Sequence, residues 1–555
     1  MNPSTLLARL AVEALRVGGV RHVVLCPGSR SAPLAYALGA SDAVDLHVRH
    51  DERVAAFTAM GAAGAVVTTS GTAAANLHPA VLEAHHGRRP LVVVTADRPR
   101  ELRGTWANQT SELQAELYGR AVRAALDLAD VDAAKDPDAA LRALVDVVAA
   151  ARRLRGPVHL DLGFTEPLLP DDEAGELQLT VQPRTAEVQT ASGIVEPGPR
   201  TVVVAGDGAD AGLGAQARDV ALAAGWPLLA EPSSGAAGPD AVAAYRLLLE
   251  LPELGGAVER AVVYGRPTLS RPVTRLLNRS DVELVLVAAG HDRPDPGRPA
   301  RRVAPLDLAA LPPAGEDRGW ARRWALASFA ARGGLDAVLD DLLTEHPELP
   351  AGPLVARAVA LAARPGDTLV VAASNPVRDL DLVVHRIPRG LRVLSNRGLA
   401  GIDGTVSTAS GAAFGGAFVR VLVGDLAFLH DANALLVPPG EERPHLQVVV
   451  LNDDGGGIFS LLEQGELATQ GAAEGAAFER LFGTPHGVDV AALCAAYGVP
   501  HRLVDGVPDL ADALESPPPG TSVVELRTTR DGLREVHARI RAAVHDAVHG
   551  ALADL

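Results

Sequence analysis

The sequence predicts an α/β protein built as three doubly wound parallel-sheet domains, on three observations. Short runs rich in Val and Leu, of the kind buried on both faces of a parallel sheet, alternate with Ala-rich stretches along most of the chain. Gly and polar residues follow these runs, at the carboxyl ends of strands, where open α/β sheets gather ligands. A chain of 555 residues also exceeds what one hydrophobic core supports, so it must divide into several domains.

Taken in order, the opening MNPSTLLARLAVEAL reads as an amphipathic helix capped by Ser4 or Thr5. It lacks a signal peptide's basic start and carries Glu13 inside its apolar run. Residues 1–180 form the first predicted domain, with strands at 22–26, 46–48, 65–70, 91–96 and 158–162. The loops Pro27-Gly28-Ser29-Arg30-Ser31, Ser70-Gly71-Thr72-Ala73 and Asp97-Arg98-Pro99 follow three of these strands. The uncharged run from Val54 to Leu82 is too rich in Ala, Gly and Thr to cross a bilayer, and no membrane span is expected. From Thr165 to Arg200 the composition turns to Pro, Glu, Asp, Thr and Gln without periodicity, which marks a linker and places a boundary near residue 180.

The middle domain, 185–345, opens on TVVVAGDGADAGLG, an imitation of a dinucleotide-binding turn with Glu231 at a plausible distance for a ribose contact. Its glycine spacing is imperfect, so a simple tight turn is expected. Gly206-Asp207-Gly208 also imitates a metal-binding motif, but residues 231–235, EPSSG, supply no downstream Asn. The third domain, 350–555, repeats the α/β pattern with strands at 368–374, 392–396, in VRVLV, in QVVVL and at 522–526.

Composition narrows the function classes. The net charge of −17 argues against a nucleic-acid partner, which needs clustered cations. Cys26 and Cys494 are the only cysteines, too few for a disulfide framework or a zinc site, which suits a cytoplasmic location. Lys135 is the only lysine, so a Walker-type phosphate loop is excluded and positive contacts must come from arginine.

The stretch from Arg420 to Glu463 carries the clearest chemistry. Two buried strands end in Gly424-Asp425 and in Asn452-Asp453-Asp454-Gly455-Gly456-Gly457, presenting acidic tips side by side. A hard cation, Mg2+ or Mn2+, combines one or two carboxylates with phosphate oxygens and water. Asp425, Asp453 and the carbonyl of Gly455 can supply the protein's share, with Asn452 as an alternative donor. Taken singly, Asp425 and Asp453 also read as ordinary strand-ending turn formers. Glu52, in VRHDERVAAF, stands in a first helical turn, where the macrodipole favours an acid with no other role.

The spacing of 28 residues from Asp425 to Asp453 resembles the metal-diphosphate motif of thiamine diphosphate enzymes, although Leu426 and Asp453 stand where that motif often has Gly and Asn. The segments CPGSRSAPL, RHDERVAAF, TTSGTAAANLHPAV, TADRPRELRGTWANQ, SNPVRDLD, SNRGLAGIDGTVSTASG and NDDGGGIFSLLEQ, in that order, resemble those of the MenD family, the thiamine-dependent SEPHCHC synthases of menaquinone biosynthesis. The resemblance covers both outer domains and is weaker in the middle one. It implies a fold of the thiamine diphosphate enzyme type, with a pyrimidine-side domain first, a central domain, and a diphosphate-side domain last.

The implied reaction decarboxylates 2-oxoglutarate and adds the succinyl unit to isochorismate. Glu52 becomes the catalytic carboxylate that exchanges a proton with the cofactor's pyrimidine ring. Ser29, Arg30, Arg98, Asn108, Gln109, Arg271, Ser374, Arg378 and Arg397 become substrate-pocket residues, guanidinium being suited to dicarboxylates. Ser70, Gly71, Thr72, Asn76, Gly424, Asp425, Leu426, Gly455 and Gly456 become cofactor contacts. Ile402 is to wedge beneath the cofactor, and Ile458, Phe459 and Leu462 to line its apolar side. The resemblance further implies a homodimer, or a dimer of dimers, with Glu52 and Asp425 acting across an interface. Rival readings are another thiamine-dependent 2-oxoacid decarboxylase or carboligase of the acetolactate synthase kind, and a catalytically silent regulatory homologue. Between Glu52 and Thr68 the chain is about half a dozen residues shorter than the family pattern, so the helix there must end early, at Gly61 or Gly64.

Overall fold

In the computed structural model of the chain, residues 1–171, 195, 199–208, 211–288, 296–306, 308, 311, 318–346 and 351–553 are described. The expected domain boundaries near 180, 185 and 350 fall outside them. The strands are β1 (His22–Leu25), β2 (Asp45–Val48), β3 (Ala65–Thr68), β4 (Leu91–Asp97), β5 (Ala125–Ala129) and β6 (Pro157–Gly163) in a first sheet. A second sheet holds β7 (Thr201–Ala205), β8 (Leu228–Ala230), β9 (Arg260–Tyr264), β10 (Glu283–Val287) and β11 (Arg301–Val303). A third holds β12 (Thr368–Val371), β13 (Arg392–Leu394), β14 (Val419–Gly424), β15 (Leu446–Asn452), β16 (His501–Val504) and β17 (Thr521–Arg527).

The first sheet runs β2-β1-β3-β4-β6-β5 and the third β13-β12-β14-β15-β17-β16, the same order twice; the second runs β11-β10-β9-β7-β8. All three are doubly wound α/β sheets, as the alternation of strand and helix predicts. Sequence reading missed β5 and β16, which occupy the same edge of the two outer sheets. An edge strand is half solvated, and ALDLA and HRLV accordingly lack the continuous burial of β4 or β15.

Two compact units emerge. One comprises Met1–Glu187, Asn396–Val419 and His430–Leu446. Its sheet is covered on one face by the helices Pro3–Val17 and Pro137–Arg153, through Leu7, Leu10, Leu141 and Leu144, and on the other by Glu52–Gly61 and His78–Gly87, through Phe57, Met60 and Val81. The first helix is capped by Asn2, whose side chain accepts from the Thr5 N–H at 2.7 Å, rather than by Ser4 or Thr5. Pro3 explains the shift, since its fixed φ and missing N–H suit the first helical position.

The helix bearing Glu52 ends at Gly61, as the shortened segment requires. Close packing enforces it: a Cβ on Gly61 would lie 2.0 Å from the Thr408 carbonyl oxygen, and one on Gly411 would lie 1.8 Å from that of Thr58. The helices Glu52–Gly61 and Thr405–Ala412 thus meet backbone to backbone, which seats Glu52 firmly.

The other unit comprises Val188–Ser395, Arg420–Leu429 and Gln447–Leu555. The second and third sheets share one continuous core here. The long helix Arg318–Thr344 presents Ala327, Ala331, Leu335 and Leu339 at four-residue spacing, and the last helix, Leu533–Ala553, presents Val536, Ile540, Val544 and Val548 in the same way. At the imitation dinucleotide turn, a Cβ on Gly206 would lie 2.1 Å from the Pro267 nitrogen. Glu231 is buried and accepts from the Leu269 N–H at 2.8 Å, so its carboxylate is committed to a main-chain contact. Residues 209–210 of that turn lie outside the described residues.

Gly411→Ala is expected to lower the denaturation midpoint by the equivalent of about 1–3 kcal/mol, the usual cost of overpacking. Gly39→Ala, where a Cβ meets nothing within 4 Å, is expected to leave the midpoint unchanged or raise it slightly. Urea titration followed by circular dichroism checks both, and equal effects of the two variants would refute the close-packing argument.

Candidate functional site

In the first unit, Asp51 accepts from the N–H groups of Arg53 and Val54 and from the Asn433 amide, which fixes the start of the helix on which Glu52 follows. Glu52 faces a cleft of about 440 Å³ lined also by His50, Asn76, Asn433 and Leu436. Arg53 reaches the His430 carbonyl at 2.7 Å and closes the same end of the helix. A partly open carboxylate beside two amide side chains is suited to holding a proton against a heteroaromatic ring.

The loops after β1, β3 and β4 converge at the carboxyl edge of the sheet. A Cβ on Gly28 would lie 2.4 Å from Cβ of Thr69, so the Ser29-Arg30 loop rests directly on the segment leading to Ser70. Arg30 is buried, gives one guanidinium hydrogen bond to the Phe164 carbonyl at 2.9 Å, and has no partner for its Nε. Its pKa is lowered, by burial first and then by the charge of Arg98. Arg98 is equally buried and donates to the Asn108 carbonyl at 2.5 Å. Two buried guanidinium groups that repel each other are poised for an anion.

Gln109 stands at φ +54° with its Cβ 3.7 Å from the position a Cβ on Gly71 would take, so the Asn108-Gln109 arm meets the Ser70-Gly71-Thr72 turn. Ser29, Thr72, Asn76, Asn108 and Gln109 are exposed, and the buried Ser70 hydroxyl has no hydrogen-bond partner. Arg397 is buried, whereas Ile402 is exposed. The loop carrying both is held by Glu83, whose carboxylate accepts from the Gly398 and Leu399 N–H groups at 2.6 and 2.7 Å.

In the second unit, β14 and β15 end beside each other and deliver the acidic pair. Asp425 is 2% exposed and accepts from the N–H groups of Leu426 (2.6 Å) and Gly455 (2.8 Å) and from His486 Nε2 at 3.2 Å. The Val488 N–H donates to His486 Nδ1, which leaves Nε2 to carry the ring's proton toward Asp425. Burial raises the Asp425 pKa against these hydrogen bonds. Asp453 is pushed up to about 7, by burial first and then by the negative charge of Asp425.

Gly455 stands at φ +143°, and a Cβ there would lie 2.0 Å from the Gly483 carbonyl oxygen, so only glycine fits the turn. Gly456 donates to that same oxygen, and Arg530 braces the turn by donating to the carbonyls of Asp453 and Asp454. The alternative ligand, Asn452, is turned toward the sheet: its amide donates to Glu525 at 2.8 Å and its oxygen accepts from the Asp454 N–H.

Among the described residues no group of three or more His, Cys, Asp or Glu is arranged to hold a metal by itself. A buried carboxylate, Asp425, beside a half-buried one, Asp453, whose pKa it raises, is instead the donor set that a hard cation completes with diphosphate oxygens and water. The residues present therefore fit a magnesium-type ion bound together with a diphosphate.

Gly424 and Leu426 flank Asp425, while Ile458, Phe459 and Leu462 follow the glycines, with the Phe459 ring 5.5 Å from that of Phe482. Ser374, at φ +73°, begins the helix Asn375–Leu382, and Arg378 turns back to donate to its carbonyl at 2.6 Å. Arg271 is exposed and lies 3.9 Å from Glu463, the residue after Leu462. His486, Arg530 and Glu83 were not found from the sequence. Each sits in an ordinary context, and only its long-range partner marks it.

Residues 6–117 match the family described as thiamine pyrophosphate enzyme, N-terminal TPP binding domain. The chain is similar in structure to benzoylformate decarboxylase from Polynucleobacter necessarius, with a TM-score of 0.67 and 17% identity over 95% of this chain and 99% of that one, which shows the fold. It is 53% identical to 2-succinyl-5-enolpyruvyl-6-hydroxy-3-cyclohexene-1-carboxylate synthase of Kineococcus radiotolerans, covering 99% of this chain and all of that protein. Its identity to the enzyme of the same name from a Nocardioides species is 47%, covering 97% of this chain and 98% of the relative. With such identity end to end, on a thiamine diphosphate enzyme fold, the chain belongs to the 2-succinyl-5-enolpyruvyl-6-hydroxy-3-cyclohexene-1-carboxylate synthase family.

Proposed function

We propose that the chain decarboxylates 2-oxoglutarate and adds the resulting succinyl unit to isochorismate, releasing CO2, with thiamine diphosphate and Mg2+ or Mn2+ bound. The observation that carries this reading is the near full-length match to synthases of that name, 53% identical in the first case. The buried pair Arg30 and Arg98 supports it, because a pocket built for dicarboxylates needs more cationic contacts than one for pyruvate. That pair also weighs against the acetolactate-synthase-like alternative.

Bound thiamine diphosphate supplies a nucleophilic thiazolium carbon and a ring that takes up the electron pair released with CO2. The chain's residues do the rest. Glu52 holds and exchanges a proton at the pyrimidine ring nitrogen. Asp425, Asp453 and the Gly455 carbonyl hold the cation that neutralises the diphosphate. Ile402 would support the cofactor by packing against it, while Ile458, Phe459 and Leu462 would keep water from its apolar side. Arg30, Arg98 and Arg397 bind substrate carboxylates, with Ser29, Asn108, Gln109, Ser374, Arg378 and Arg271 completing the pocket.

We further propose a homodimer, or a dimer of dimers, in which Glu52 of one subunit serves the cofactor held by Asp425 of another. We place the enzyme in the cytoplasm; no helix among the described residues is long and apolar enough to cross a membrane.

Supplying the cofactor-loaded protein with isochorismate and either 2-oxoglutarate or pyruvate, and following CO2, tests the reaction. Release with 2-oxoglutarate is expected; a preference for pyruvate would overturn the assignment. Glu52→Gln is expected to bind cofactor normally by calorimetry while turnover falls about 10²- to 10⁴-fold. Asp425→Ala, or treatment of the unaltered protein with a chelator, is expected to raise the cofactor concentration needed for half-saturation at least tenfold. Mixing the two inactive variants under conditions of subunit exchange should restore about a quarter of the original activity, because half the dimers are then mixed and each has one intact site. No recovery after verified exchange would reject the shared site.

A further inference from the structure

One buried side chain ties together two of the loops that converge at the first sheet. Gln114 is 3% exposed and uses its amide at both ends. Its Oε1 accepts from the Gly71 N–H at 2.9 Å. Its Nε2 donates to the Ala96 carbonyl at 3.1 Å and to Asp161 Oδ1 at 3.0 Å. Gly71 lies in the turn after β3, at φ +80°, a conformation that its own sequence does not enforce. Ala96 lies in β4, two residues before Arg98.

The far side of this contact is a compact ionic cluster. Arg103 bonds Asp97 at 2.8 Å, Asp127 at 2.9 Å and Asp161 at 3.3 Å. Asp97 accepts from the Arg98 N–H at 2.7 Å, and its pKa is raised by burial and by the neighbouring Asp161. Thr95 links the Asp161 carboxylate to His159, whose ring stands edge-on to Tyr118 at 4.8 Å. Hydrogen bonds thus run from the Gly71 turn through Gln114 to Asp161, ion pairs join Asp161 and Asp97 through Arg103, and Asp97 accepts from the main chain of Arg98.

We propose that Gln114 is a positioning residue for the reaction: it sets the spacing between the Ser70-Gly71-Thr72 turn and the Arg98 arm, and so the seat of the 2-oxoacid carboxylate. This rests on the placement of both loops in the active site argued under Proposed function. The chemistry calls for an amide, since the position needs one acceptor and two donor contacts. A carboxylate of the same shape keeps the acceptor, loses both donors, and adds a third negative charge beside Asp97 and Asp161. An apolar chain of the same length makes none of the contacts.

Gln114→Glu is expected to raise KM for 2-oxoglutarate about 10- to 100-fold at neutral pH, with a smaller effect on kcat and no change in thermal midpoint beyond a few degrees. Because the protonated acid regains one donor and loses its charge, the ratio of variant to unaltered kcat/KM should rise as pH falls. The groups facing the new acid are Asp97, Asp127 and Asp161, with Arg103, His159 and Tyr118, all present in the unaltered protein, so the pH dependence of the ratio reports the new acid together with its coupling to them. An unaltered KM with a flat ratio overturns the proposal. Should Gln114→Glu fail to fold, Gln114→Met takes its place: the same rise in KM without the pH dependence is expected, and an unaltered KM overturns the proposal. Arg98→Ala separates this from the underlying reading. If that variant turns over normally, the placement of the arm is wrong; if it is impaired while both Gln114 variants are not, only the role of Gln114 falls.

Discussion

A buried carboxylate that accepts main-chain N–H groups is the interaction on which the site's loops depend. Asp425 takes those of Leu426 and Gly455, Glu83 those of Gly398 and Leu399, Asp97 that of Arg98, and Asp431 that of Ser407. A carboxylate in a low-dielectric setting forms strong hydrogen bonds to fixed amide donors, and each such bond fixes a peptide plane rather than a flexible side chain. The device suits a chain with one lysine and a net charge of −17, since it stabilises buried negative charge without a cation for every acid.

The arginines are in consequence distributed in two roles. Arg103 and Arg530 are committed to structure, one joining three aspartates and the other bracing the Asp453-Asp454 turn through two carbonyls. Arg30 and Arg98 are both buried at the carboxyl edge of the first sheet, where the charge of Arg98 lowers the Arg30 pKa and Glu166 stands 4.0 Å from the Arg30 guanidinium. Burying like charges together is costly unless a ligand supplies the opposite sign. The acidic pair, buried Asp425 and half-buried Asp453, likewise sets two like charges side by side, with the signs reversed. Each cluster is therefore incomplete in the charge that a ligand of opposite sign would bring.

Glycine makes the geometry possible at the few points where chains come closest. Gly61 and Gly411 let the helix that begins at Glu52 touch the helix Thr405–Ala412 through their backbones. Gly455 lets the acidic turn fold against Gly483, which brings its N–H to Asp425. The two outer sheets repeat one strand order, and Glu52 in one and the acidic pair in the other both follow the carboxyl ends of strands.

Much of this was legible in the letters. Runs such as LVVVTA and QVVVL announce central parallel strands because burial on both faces demands uninterrupted apolar side chains, and the motif loops at their ends carry Glu52, Arg30, Arg98, Asp425 and Asp453 in recognisable order. The edge strands β5 and β16 were not legible, since a half-solvated strand has no such run. Nor were the roles of Gln114, Glu83 and His486, or the turning of Asn452 toward Glu525. By itself the sequence determined the succession of elements and the chemistry available at each loop, because local propensity and side-chain type are properties of neighbouring residues. Only the tertiary structure decided which carboxylate holds which loop, because those hydrogen bonds join residues far apart in the chain and exist only once the sheets have brought them together.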